Sequence, residues 1–292
     1  MIIKEVRTRM RGKRAFLLVT AHLVILVLTV ALAYLFFRSA LTSTGNLEER
    51  RVFGKAVFGI IIWLELIMVS FVAPALTSGA IASERERQTF DLLRVTLLSP
   101  YSLVIGKFVS SMIFLLLLLF TSIPIQGPAF LIGGVLAQEV MLAGLILAVT
   151  AIGFSALGLL FSSIFRRTIQ STAITYGISI TLVFGIPILA LIILILLSST
   201  SGGGILTPLS PSGQVLFILL GWVIVCLTPL ATMVGTEIIL LDQHSLLVAK
   251  ITLENGASLI MPSPWIIYIF SYLVLSSAAL WVSIELVKKR DR

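Results

Sequence analysis

Charge is scarce in this 292-residue chain. Lys, Arg, Asp and Glu together make up 12% of it, about half the share of an average soluble protein. With 58% hydrophobic residues and a mean hydropathy of +1.13, an ordinary soluble domain is excluded. It has too much surface to hide that much apolar side chain. Cysteine is nearly absent. The one residue, Cys226, rules out an intramolecular disulfide and a cysteine metal cluster. The two histidines, His22 and His244, lie far apart without acidic residues at ligand spacing, which speaks against a metal site. No G-x-x-x-x-G-K-[ST] cradle for phosphate occurs. The run Gly202–Gly204 precedes no such pattern, and reads as a flexible outer loop. No span carries the clustered His, Asp, Glu or Ser of a membrane-embedded enzyme. There is no internal repeat, and the longest polar stretches, about 38–55 and 242–264, are loop-sized. The expectation is one membrane domain over residues 1–292.

Long apolar runs are abundant. A helix of about 20 such residues matches the hydrocarbon core of a bilayer and satisfies its own backbone there. Six runs qualify: 15–37, 57–82, 103–125, 139–165, 171–197 and 265–287. Barrel strands are a poor alternative, since they alternate over about ten residues and these tracts do not alternate. The fold class expected is an all-α polytopic membrane protein with about six transmembrane helices. A seventh apolar stretch, 214–241, contains Pro229 and Gly235.

Basic residues flanking spans favour the cytoplasmic side. Lys4, Arg7, Arg9, Arg11, Lys13 and Arg14 precede the first run, and Lys288, Lys289, Arg290 and Arg292 follow the last. Arg85, Arg87, Arg94 and Lys107 lie between the second and third, and Arg166 and Arg167 between the fourth and fifth. Both termini are therefore expected in the cytoplasm, in a cell (inner) membrane. That requires an even number of crossings, so 214–241 is read as a re-entrant or interfacial element, broken near Pro229 and Gly235. The rival reading has it span in place of another run. The net charge of +8 follows from orientation and attraction to anionic membrane lipid; it calls for no nucleic acid. The first run is too long for a signal-peptide core and lacks a small-residue cleavage site after it. Residues 1–14 read either as an amphipathic surface helix or as a basic anchor.

The densest interior charge is ASERERQTFDLLRVTLLSPYSLVIGK, residues 82–107. Ser83 and Glu86 have the spacing of a capping box. Phe90, Leu93 and Leu97 fall on one helical face, and Arg87 and Asp91 are placed to pair on another. Ser99-Pro100 ends the element. The product is a short amphipathic helix, about 84–95, between two spans. It reads either as an interfacial helix on lipid or as a docking helix for a cytoplasmic partner. The balanced acids and bases favour the second, because anionic lipid favours an excess of bases.

This segment resembles the type-2 ABC transporter permeases, whose second span ends in proline and small residues before an acidic-basic run, a threonine, a leucine-rich stretch and a serine-proline. Here those are Ala73-Pro74-Ala75 and ERERQTFDLLRVTLLSP, followed by Gly106-Lys107. ALGLLFSSIFRRT (156–168) and SPWIIY (263–268) are further, weaker similarities. Gln88 stands where many relatives have Gly, and Leu97 where many have Pro. The resemblance implies the membrane subunit of an ABC transporter, usually an exporter, with no ATP site of its own. A second permease subunit, identical or not, and separate ABC ATPase subunits carrying ATP and Mg would be its partners. It also implies that residues 84–95 form the coupling helix, with Glu84, Arg85, Glu86, Arg87, Thr89, Phe90, Leu93 and Arg94 docking the ATPase.

Glu65 is the one clear carboxylate within a run, and must pair, face water or stay protonated. It is a candidate for the translocation path or, alternatively, a carboxyl hydrogen-bonded to a neighbouring helix. Glu139 and Glu285 sit near span ends, where solvation is easy. Gly153 and Gly158 suit close helix packing. Two rival functions stand beside the ABC permease. An ATP-independent secondary transporter or channel would show more intramembrane charge and a repeated half. A permease-like subunit that transmits motion and moves no substrate is the other.

Overall fold

The computed structural model describes residues 13–42, 47–88, 99–200, 211–243, 245–252 and 258–289. Two compact units are present, residues 1–176 with 275–292 and residues 177–274. In the first lie α1 (Lys13–Thr42), α2 (Leu47–Thr77), the short α3 (Ala82–Glu86), α4 (Pro100–Ile132), α5 (Ala137–Ile164) and most of α6 (Thr168–Ile180). The second contains a π-helical turn (Thr181–Gly185), α7 (Ile186–Thr200), α8 (Pro211–Leu227), α9 (Pro229–Gln243) and two strands, β1 (Val248–Thr252) and β2 (Ser258–Pro262). The last helix, α10 (Pro264–Lys289), begins in the second unit and ends in the first.

Among the described residues, six helical stretches are long and apolar enough to cross a bilayer: Phe16–Phe36, Arg51–Glu86, Pro100–Leu131, Ala137–Ile164, Thr168–Leu196 and Pro264–Lys289. They coincide with the six runs. The second is longer than the apolar run alone, because α3 continues from α2 through the turn at 78–81. The fifth passes through the π turn, a local widening that α-helices often carry at functional positions.

In the first unit, α2 packs on α4 and α5, and α1 packs on α2 and α4. Small residues let α2 and α5 approach closely. A Cβ on Gly158 would fall onto the Thr77 hydroxyl, so this position of α5 admits only glycine beside α2. At the other end of these helices, Gly134 turns the chain into α5 at φ +90 and touches the Arg51 backbone. Left-handed backbone of this kind suits a residue without Cβ. Glu139 Oε2 accepts the Leu136 N–H at 3.0 Å, and Glu139 Oε1 pairs with Lys55 Nζ at 3.0 Å. Glu139 is only 5% exposed. The expectation of an easily solvated carboxylate is corrected: burial there is compensated by an ion pair and a helix-capping bond.

In the second unit, α8 and α9 are bent by 113° at Thr228. Pro229 has no N–H to give to Val225 O, and the Thr232 hydroxyl donates to that carbonyl instead at 2.7 Å. At about 1.5 Å per residue, arms of 17 and 15 residues each fall short of a hydrocarbon core of about 30 Å. By length and bend the pair is a broken span or a re-entrant loop. The break lies at Pro229 alone. Gly235 lies within α9, close to Val225 and Pro264, which corrects the expected second break. The two strands were not expected. They form an antiparallel hairpin pairing Ala249 with Met261 and Lys250 with Ile260.

Candidate functional site

The segment closing the second span makes polar bonds to several other elements, and the sequence supplies the reasons. Helix α3 has no side-chain cap, so its first amides need partners elsewhere. Ser162 of α5 meets that need: its Oγ accepts the Ile81 and Ala82 N–H groups at 2.8 and 2.9 Å. The expected capping box is corrected. Ser83 N–H is taken by Gly79 O at 3.0 Å, and the Glu86 carboxylate reaches α6 instead. Thr168 donates to Glu86 Oε2 through its hydroxyl at 2.6 Å and its N–H at 3.2 Å.

The neighbouring charges also turn to the chain itself. Lys107 Nζ of α4 donates to Glu84 Oε1 at 2.6 Å. Lys107 is 5% exposed, so its charge is held where an unpaired ammonium would be costly. Arg85 Nη1 donates to the Ser163 carbonyl at 2.7 Å, one of the last carbonyls of α5 that the helix leaves open. Ser171 Oγ donates to Ser78 O at 2.6 Å, and the Ser78 and Thr172 hydroxyls lie 3.0 Å apart. Further along, Tyr176 OH donates to Phe71 O at 2.8 Å.

Beneath these polar bonds lies an apolar cluster of Ile81, Leu103, Val104, Leu159 and Val287, flanked by Phe108, Leu280 and Ile284. Residues 78–86 are therefore tied to α4, α5, α6 and the end of α10 at once. Four spans besides the second meet in this one turn.

The chain leaves the turn abruptly. Arg87 ends α3, and Gln88 adopts φ +57, a left-handed conformation rare for residues with a Cβ. Of the helix expected over 84–95, residues 84–86 finish the helix that prolongs the second span, and residues 89–95 lie outside the described residues. Glu84 and Arg85 are half-buried, whereas Glu86, Arg87 and Gln88 are exposed, as are Arg166 and Arg167. Thr89, Phe90, Leu93 and Arg94 lie outside the described residues, as do Asp91 and Leu97. Ser99-Pro100 then opens α4, the Ser99 hydroxyl accepting the Ser102 N–H at 3.2 Å.

Glu65 is 1% exposed and accepts from Gln126 Nε2 of α4 at 2.9 Å, with the Ser122 side chain also in hydrogen-bonding reach. It is enclosed by α2 and α4 within the first unit. Sequence reasoning passed over Gln126, Ser162 and Thr168, because each acts through a partner tens of residues away. Gln126 showed only as polarity beside an apolar run, whereas Ser162 and Thr168 lay within ALGLLFSSIFRRT without a role of their own.

Six apolar helices, one bent pair and a polar turn joining the spans define a polytopic α-helical membrane protein. The chain belongs to the ABC-2 family of transporter proteins, whose family model matches residues 1–277. Among curated proteins, none matches it. It is thus a membrane subunit of the ABC transporter class.

Proposed function

We propose that this chain is the permease of an ATP-driven exporter, and that residues 78–95 transmit the motion of a docked ATPase to the spans. The observation that carries this reading is the turn at 78–86, tied to α4, α5, α6 and α10 by Ser162, Lys107, Ser163, Thr168 and the Ile81 cluster. A load applied just beyond Arg87 enters five spans through one rigid joint.

In this reading the docking set divides by task. Arg87, Thr89, Phe90, Leu93 and Arg94 meet the ATPase groove, with Phe90 and Leu93 as apolar anchors. Glu84, Arg85 and Glu86 hold the joint, with Glu86 exposed enough to serve both. ATP and Mg reside on the ATPase, and nucleotide binding there biases the permease between two packed states. Two permease subunits flank the path, both termini lie in the cytoplasm of a cell membrane, and the α8–α9 pair is re-entrant. Glu65 then acts as a fastener of α2 to α4 rather than as a lining group of the path.

The test is affinity capture of the tagged chain from gently solubilised native membranes, with mass spectrometry of its companions. A P-loop ATPase is expected with the wild type and is lost when Phe90 and Leu93 are changed to Asp. Capture without any ATPase, under conditions that preserve other membrane complexes, overturns the reading.

A further inference from the structure

The hairpin before the last span has two unlike faces. Ala249 and Met261 point inward and are buried, while Val248 and Ile260 point outward, Ile260 being 69% exposed. Leu247, just before the hairpin, is exposed as well. Lys250 shares the outward face as the partner of Ile260. An isolated two-stranded hairpin is marginal in water, and this one is held by its neighbours. The Gln243 side chain at the end of α9 accepts from Lys250 N–H at 2.8 Å and donates to Lys250 O at 2.7 Å, closing the free edge of β1. Ser263 N–H donates to Leu247 O at 2.9 Å, and Trp265 Nε1 to Leu246 O at 2.8 Å.

These ties fix where the hairpin lies. One residue, Ser263, separates β2 from α10. At about 1.5 Å per residue, a 26-residue helix exceeds a hydrocarbon core of about 30 Å, so its ends reach the headgroups. Lys288 and Lys289 occupy one such end and Trp265 the other, and tryptophan favours that depth. The hairpin is bolted to this tryptophan and to α9, and Val248 and Ile260 on its outward face are apolar where the bilayer interface begins.

We infer that the outward face of the hairpin rests on phospholipid, with Val248 and Ile260 at the headgroup–acyl boundary and Lys250 reaching a lipid phosphate. The stem of a lysine can lie on apolar surface while its ammonium meets the headgroup. A second copy of the chain fits less well. A stable interface takes about 800 Å² from each partner, and this face offers only a few side chains. The hairpin thus sets the depth of the last span and braces the open end of the bent pair. The inference does not rest on the ATPase reading.

The test places an environment-sensitive fluorophore on Ile260→Cys, with Cys226→Ala removing the native thiol, in vesicles of zwitterionic and anionic phospholipid. Val248→Cys is labelled in parallel, so that a failure of one variant to fold does not decide the matter. Nitroxide lipids carrying the quencher at the headgroup or upper chain are expected to quench more strongly than those carrying it near the chain end, since an interfacial face lies about 5–10 Å into the headgroup–acyl boundary. Aqueous iodide is expected to quench weakly. Strong iodide quenching without lipid quenching places the face in water, and protection from both quenchers places it against protein; either result overturns the inference. No ATPase enters the measurement, so its failure is distinct from failure of the transporter reading.

Discussion

Lys107 shows how a single charge is afforded in this chain. Its ammonium is buried and meets Glu84 at 2.6 Å. Removing the carboxylate while leaving the ammonium buried is expected to destabilise the protein by about 2 kcal/mol, less than the roughly 3–5 kcal/mol of a fully buried pair, because the Glu84 side chain is 25% exposed. Glu84→Gln should therefore lower the Tm in detergent, and adding Lys107→Met should recover part of the loss. A double-mutant cycle isolates that coupling from the other contacts of both residues; a coupling indistinguishable from zero rejects the pair as a fastener. Glu65 and Gln126 allow a similar comparison in the middle of the bundle. Gln126→Leu withdraws a donor from an enclosed carboxyl and is expected to cost about 1–3 kcal/mol. Glu65→Leu with Gln126→Leu leaves no polar group stranded and should melt nearer the wild type. If Gln126→Leu melts like the wild type, the fastening role of Glu65 is wrong.

At the scale of elements, the approach of α2 to α5 depends on one missing Cβ. Gly158→Ala places a methyl against the Thr77 hydroxyl, and overpacking of this kind costs about 1–3 kcal/mol. Thr77→Ala in the same chain should restore much of the stability, which thermal melts of the single and double variants would read. Without rescue, the contact is not what brings the two helices together. The sequence made the presence of these helices plain, since six apolar runs of bilayer length leave few alternatives. It pointed to Gly158 as a packing position as well. It did not show that α3 prolongs the second span, because a capping box at Ser83 is a local pattern and Ser162 is a distant competitor. The hairpin was missed for a similar reason. The run VAKIT alternates only weakly and SLIMP barely at all, so Asn255-Gly256 between them was the one turn signal.

For the whole molecule, the turn at 78–86 predicts a separation of docking from coupling. Ser162→Ala removes the acceptor of two amides without touching residues 87–95. In the proposed complex it should leave ATPase capture intact while reducing substrate-stimulated ATP hydrolysis at least about fivefold, the low end of usual coupling energies. Phe90→Asp with Leu93→Asp should abolish both. If Ser162→Ala retains full stimulation, the joint does not transmit the motion.

Membrane residence, the number of long apolar helices and the place of the charged turn were determined by the sequence alone, because hydrocarbon thickness and backbone self-satisfaction act on each segment separately. The partners of its few buried charges were decided only by the tertiary structure. Lys107 with Glu84, Lys55 with Glu139 and Gln126 with Glu65 each join residues 23 to 84 positions apart. Desolvation makes such groups costly when alone and compels them to meet, but only the packing of the helices settles which of them come within reach.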